Sequence, residues 1–303
     1  MPLRDNDERI IGTFGISRDV TAHKQAEEQV ARYAEALREK NSQMEADLLM
    51  AREVQQTMLI QRYPTFPPAA MPNDSALRFT HRYQPCAVVS GDFFVVIPIS
   101  DTAAGIFICD VTGKGVRAAL ITMMIRAVVQ EFSSVGHDPS QFLGSVNRGL
   151  SAILQDPTMP MFATAFYLVA DAAAGTVRFA NAGHPLPFHL RDKAGITEQL
   201  RAEGWQPGPA LGVFGDSNYP TGTQPLTEGD MIMLFTDGMF EAVDANDNEF
   251  TQQRLLEAVR ERSRLAAPEL FDELLREIRQ FSATREFADD VCLIGVELAR
   301  LLR

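Results

Sequence analysis

The chain has 303 residues, about two domains at the usual ~150 residues each. Hydrophobic residues make up 46% and charged residues 22%, which excludes wholesale disorder and collagen-like repetition. With 28 Lys and Arg against 40 Asp and Glu, the net charge of −12 argues against non-specific nucleic-acid binding, and no basic cluster offers itself to an anionic lipid surface.

The uninterrupted apolar runs fall short of the ~20 residues that a spanning helix needs. The charged start, Met1 to Arg9, has no apolar core of the kind a signal peptide carries. The expected location is therefore the cytoplasm, with no membrane and no nucleic-acid partner. The three cysteines, Cys86, Cys109 and Cys292, lie far apart without a CxxC pair, and are expected to be buried, inert thiols in a reducing compartment.

In chain order, Arg9–Ile16 is rich in β-branched and aromatic residues and predicts a strand. One strand cannot stand alone in water, so residues 1–22 are expected to end a larger unit. The string from Gly12 to Gln29 resembles the close of a PAS sensor domain, in which a last strand runs into a helix. Most of such a domain is absent, so ligand sensing by this chain alone is not expected. From Ala22 to Leu59 there is no Gly or Pro, and good helix formers dominate, with Thr21 the expected N-cap.

Val30, Leu37, Met44, Ala51 and Met58 recur at every seventh position. The companion seam of Ala26, Tyr33, Lys40, Asp47 and Val54 is interrupted by Lys40 and Asp47. This predicts a linker helix over 23–62 that pairs as a parallel coiled coil, making a homodimer through residues 23–60. A single long helix lying on the next domain has the same composition. Pro64, Pro67, Pro68 and Pro72 then make 63–74 an extended connector.

Residues 75–303 read as one domain. Strands are predicted at Arg78–Tyr83, Phe93–Ile99, Gly105–Cys109, Thr164–Ala170, Val177–Asn181, Met231–Phe235 and Val291–Leu298. Helices are predicted at Val116–Phe132, Pro139–Leu154, Gln252–Ser263 and Pro268–Phe281. Hairpin-length connections and paired helices point to an α+β fold of antiparallel sheets flanked by helices, not a doubly wound parallel sheet.

Aspartates sit at the ends of these apolar runs. Asp92 opens one, Asp110 and Asp237 each follow one, and Asp289 and Asp290 precede another. Asp before Gly is often only a turn residue. Carboxylates that converge, however, repel one another until a cation removes the cost. Oxygen ligands without His or Cys suit Mg²⁺ or Mn²⁺. Asp110 to Gly115, reading DVTGKG, is not a Walker A loop, because Gly115 stands where Ser or Thr is required.

Four strings together resemble the metal-dependent type 2C (PPM) serine/threonine phosphatases, in the stage II sporulation protein E branch. They are Tyr83 to Phe94, Cys109 to Leu120, Ala180 to Pro185 and Gly229 to Ala242. Ala288 to Val291 resembles the closing signature, and the motifs keep family order from about residue 45 to 298. The resemblance implies an αββα sandwich with two Mn²⁺ or Mg²⁺ ions at one end. Asp110 would bridge both ions, and the Val111 carbonyl and Asp92 would serve one of them. Asp237 and Asp289 would hold the other, with Asp290 less certain. The ions would lower the pKa of a water for in-line attack on phosphoserine or phosphothreonine. The usual substrate of this branch is an anti-sigma-factor antagonist. Alternatives are a phosphohydrolase of a small phosphoester and a non-catalytic signalling module of the same fold.

Two positions depart from the family pattern: Val95 replaces a second acid, and Cys86 replaces a small Ala and is expected only to pack. Lys114 stands where His or Lys is usual, and either meets substrate phosphate or is solvated. Residues 46–59 are expected to pack near 116–132. His184 is read as a turn residue before a proton donor, and His189 has no evident partner. Asp244 to Glu249 fails as a calcium loop, because Glu249 stands where Gly is needed. Trp205 is expected to pack.

Overall fold

In the computed structural model, residues 1–13, 15–16, 18–59, 63–154 and 161–302 are described. They form two compact units, Met1–Met50 and Ala51–Arg303. In the first, β1 (Pro2–Arg4) and β2 (Ile10–Thr13) form an antiparallel hairpin. The strand expected over Arg9–Ile16 is therefore shorter, and Phe14 lies outside the described residues. Helix α1 (Thr21–Leu59) follows and runs on into the second unit. Thr21 is its first residue rather than its cap: the Thr21 amide donates to Asp19 Oδ1 at 2.9 Å. Val30, Tyr33, Leu37 and Met44 are exposed, while the Met58 side chain and residues 60–62, the expected end of the linker, lie outside the description.

The second unit is built on strands whose apolar residues fill both faces. Sheet I has the order β10 (Gly222–Pro225), β7 (Thr176–Ala182), β6 (Ala163–Asp171), β5 (Ala103–Val111), β4 (Asp92–Pro98). Sheet II has the order β3 (Leu77–Gln84), β12 (Val291–Leu298), β11 (Met231–Phe235), β8 (Phe188–Arg191), β9 (Ile196–Gln199). All pairings within both sheets are antiparallel.

Side chains alternate between two cores, as the pleat requires. Phe94, Val96, Ile106, Ile108, Ile232, Leu234, Cys292 and Ile294 form a dry layer between the sheets. Phe93, Val95, Phe107 and Cys109 face the other way, onto α2 (Val116–Glu131) and α3 (Pro139–Ile153). Met233, Phe235 and Leu293 pack against α4 (Gln252–Glu261) and α5 (Ala267–Phe281). Two helical layers enclosing two antiparallel sheets are the αββα arrangement expected from the motifs. The segment Val116–Val135 is long and apolar enough to cross a membrane by composition, yet Ala118, Thr122, Ile125 and Val129 on α2 are buried in this unit.

Three features depart from expectation. Strands β8, β9 and β10 are four residues each and carry no long apolar run of their own. The proline-rich stretch is not a free connector: Phe66 is 1% exposed within the inter-sheet layer. Cys109 and Cys292 are buried as expected, but Cys86 is exposed.

Candidate metal centre

Register brings the first two acids together. Asp92 and Asp110 are direct partners across β4 and β5, and Thr164 is the partner of Asp110 on β6. The Asp92–Asp110 pair terminates the otherwise apolar β4–β5 ladder, while β5–β6 runs one pair further, to Val111 and Ala163. Asp92 is 2% exposed, and its Oδ2 has no hydrogen-bond partner among the described residues. An unpartnered buried carboxylate oxygen is costly, and points to a cation or donor that belongs there.

Sheet II supplies the others. Asp237 opens a single 3₁₀ turn immediately after β11, and Asp289 and Asp290 lead into β12, the neighbour of β11. The turn closes tightly, because a Cβ on Gly238 would come within 2.1 Å of the Asp290 carbonyl oxygen. Only glycine permits that approach.

The electrostatics tie the two groups into one site. Burial, then the charge of Asp110, pushes the Asp92 pKa well up, and Asp92 is in hydrogen-bond contact with Thr236 and Asp110. Burial also raises Asp110, with Asp289, Asp290 and Glu241 adding to it, against the lowering effect of its hydrogen bond with Asp92. Asp237 is pushed up to about 7 by burial, Asp110, Glu241 and Asp289. Carboxylates from four chain segments thus repel one another at one end of the sandwich.

Asp290 has a different role from the others. Its Oδ1 accepts from the Cys86 amide at 2.8 Å and its Oδ2 from the Gly91 amide at 2.9 Å. It holds the loop that delivers Asp92. The Gly91 carbonyl accepts from Thr122 Oγ1 on α2 at 2.9 Å. The buried Gln55 of α1 brackets Ser90: its Nε2 donates to the Ser90 carbonyl at 2.7 Å, and its Oε1 accepts from the Ser90 amide at 3.0 Å.

Lys114 stays exposed to solvent but is paired. Its Nζ donates to Asp289 Oδ2 at 2.9 Å and to the Ala288 carbonyl at 2.8 Å. The loop around it reverses through Gly113 and Gly115, both at positive φ. Among the described residues, ligand atoms of Cys86, Asp289 and Asp290 lie within 4.8 Å of one another. The Cys86 thiol is pushed up to about 11 by burial and by Asp290, so it enters as a neutral neighbour. Asp92, Asp110 and Asp237 stand outside that tight triplet and couple to it by charge.

The remaining candidates resolve as structure. His184 Nδ1 contacts Thr164 Oγ1 at 2.8 Å, and burial drives its pKa down to about 3. Asn181 receives the His184 amide and donates to its carbonyl, which fixes the turn. His189 gains a partner the sequence did not name, Asp230 at 3.3 Å. Asp244 accepts from the amides of Asn246 and Asn248, closing its own loop. Trp205 packs edge-on against Phe179 and donates to the Pro220 carbonyl. Sequence reasoning missed Gln55, Thr236 and Glu241. Glu241 lies four residues beyond Asp237 and donates its amide to the Asp237 carbonyl, a short-range signal that was available.

The residues fit divalent cations: a crowded all-oxygen set, raised pKa values and an unpartnered Asp92 oxygen. Comparison with known proteins agrees with the fold. The family model "Stage II sporulation protein E (SpoIIE)" matches residues 100–299. The phosphoserine phosphatase RsbU of Bacillus subtilis (strain 168) is 31% identical over 212 residues, covering 70% of this chain and 58% of that protein. The phosphoserine phosphatase RsbP of the same organism is 26% identical over 253 residues, covering 83% of this chain and 58% of that protein. The chain therefore spans 58% of the length of both relatives. The SiaA-PP2C domain of Pseudomonas aeruginosa superposes with a TM-score of 0.72 at 21% identity, covering 85% of this chain and 98% of that one.

Proposed function

Because this chain belongs to the stage II sporulation protein E family of PP2C-type phosphatases, we propose that it is a metal-dependent protein serine/threonine phosphatase. The observation that carries this reading is the set of mutually repelling carboxylates at the sheet ends, with a buried Asp92 oxygen left unpartnered. Asp92, Asp110 and the Val111 carbonyl on sheet I, and Asp237 and Asp289 on sheet II, would hold two Mn²⁺ or Mg²⁺ ions, with Asp110 shared between them. Such ions lower the pKa of bound water and neutralise phosphoryl oxygens.

The chain's own residues do the rest. Asp290 positions the Gly91–Asp92 backbone by accepting two amides. Lys114 holds Asp289 and would meet an incoming phosphoryl group. Asp92 and Asp110 keep their carboxylates side by side through strand register. The proposed substrate is a phosphorylated anti-sigma-factor antagonist, by likeness to the RsbU and RsbP relatives, in a cytoplasmic signalling chain. Residues 1–22 are proposed as the end of a PAS-like unit, and residues 23–60 as the homodimerising coiled coil. Gln55 gives that helix a direct grip on Ser90, two residues from Asp92. A shift of the helix would thereby bias the metal site.

The test is hydrolysis of p-nitrophenyl phosphate in EDTA and then with Mn²⁺ or Mg²⁺, for wild type and Asp110→Asn. Metal-dependent turnover abolished by the substitution is the expected result. Turnover that ignores EDTA or survives in Asp110→Asn overturns the assignment.

A further inference from the structure

About 15 Å along α2 from Val116, at 1.5 Å per residue, the helix carries Arg126. Its Nε is buried and has no hydrogen-bond partner among the described residues. Its Nη1 reaches Gln130 Oε1 at 3.3 Å, a neutral acceptor. Burial holds its pKa below the usual arginine range, and among the described residues no carboxylate pairs with it. A part-buried guanidinium without a counter-charge is as unbalanced as the Asp92 oxygen, with the opposite sign.

This cation borders a cavity of about 410 Å³ between edge strand β4 and the turn that follows α2. Ser133, Ser134, His137 and Gln130 complete its polar wall. Among the described residues, no Asp or Glu lines it. Ser133 Oγ donates to the Gln130 carbonyl, while the Ser134 hydroxyl and the His137 ring have no hydrogen bond among the described residues. The volume lies in the range of small-molecule sites. Planar guanidinium, hydroxyl and imidazole donors facing one space are the set that binds tetrahedral oxyanions.

We propose that this cavity is a second site, for a phosphate-type oxyanion, with Arg126 as its anchor and Gln130, Ser134 and His137 as further donors. It is separate from the acidic centre and sits on the helix whose Thr122 holds the Gly91 carbonyl. The occupant is either inorganic phosphate or the phosphoryl group of a small organic phosphate, for which the volume leaves room.

The experiment uses the full chain in EDTA, so that neither hydrolysis nor metal-bound phosphate intervenes. Calorimetry and thermal melts are run with inorganic phosphate in one arm and O-phosphoserine in the other, each against chloride at equal ionic strength. Wild type is expected to bind at least one, with Arg126→Gln weakening it by at least about tenfold and Arg126→Lys by less. Without either anion, Arg126→Gln is expected to melt no lower than wild type, because it removes an unpaired charge. Tighter binding in the O-phosphoserine arm assigns the larger occupant, and equal binding assigns phosphate. If Arg126→Gln fails to fold, Ser134→Ala and His137→Ala replace it, with about threefold weaker binding expected from each. Wild type that responds to neither anion, or binding unchanged in the variants, overturns the proposal. The readout is metal-free binding, so the phosphatase assignment and this site can each fail without the other.

Discussion

Asp92 and Asp230 are equally buried, at 2% and 1% exposed, and yet they are opposite kinds of carboxylate. Asp230 accepts from the Thr227 amide and hydroxyl and from the Asp192 amide, and it meets His189 at 3.3 Å. Both oxygens have partners, and the group ties β11 to the β8–β9 turn. Asp92 has acidic Asp110 as its cross-strand partner and one oxygen with nothing to accept from among the described residues. Burial by itself therefore does not mark a working acid. The inventory of donors around it does.

The largest test of this contrast is Asp230→Asn. It should destabilise the protein by about 3 kcal/mol in denaturant titration, by weakening acceptors for several buried donors. The same change at Asp92 should have the reverse sign. Asp92→Asn removes a repelling charge, so the EDTA-treated protein should gain about 1 kcal/mol while losing its stabilisation by Mn²⁺. Equal destabilisation by both substitutions would erase the distinction. Gln55→Ala comes next, at about 1 kcal/mol, since Ser90 loses both backbone partners; Mn²⁺ titration should show weaker binding as well.

The finest test is pH. The Asp237 pKa in the folded, metal-free state is raised to about 7 from 3.8. The folded protein then holds a proton that the unfolded chain has released, so stability in EDTA should fall as pH rises from about 4 through about 7. Melts at pH 5 and pH 8 should show the loss, and Asp237→Asn should flatten it.

The acids were legible because each one ends an apolar run, and a chain shows where a strand stops. The body of the sandwich was legible for the same reason: β11 and β12 match their predicted limits residue for residue. What escaped depends on partners distant in sequence. Strands β8 to β10 are short, and their pairing supplies what their own pattern does not. Gln55 reads as one more helix former until Ser90 stands beside it. Lys114 and Asp290 show their roles only once the loops that they pin have closed. Cys86 was expected inside because cysteine usually is, but its loop lies at the sheet ends, where the surface begins.

The pairing of β4 with β5 carries one more consequence. Both strands are apolar on both faces, so sliding one past the other would still set grease against grease, and hydrophobic patterning could not detect the error. One mark indexes the β4–β5 ladder instead, while Gly105, where a Cβ would meet the Tyr167 hydroxyl at 2.2 Å, indexes β5 against β6. At the far end, Asp92 and Asp110 can lie opposite one another only where the greasy layer stops. A shift in either direction would drag a carboxylate inward or leave an apolar side chain in water. Asp92 and Asp110 thus also act as an end-stop for the register of the two strands.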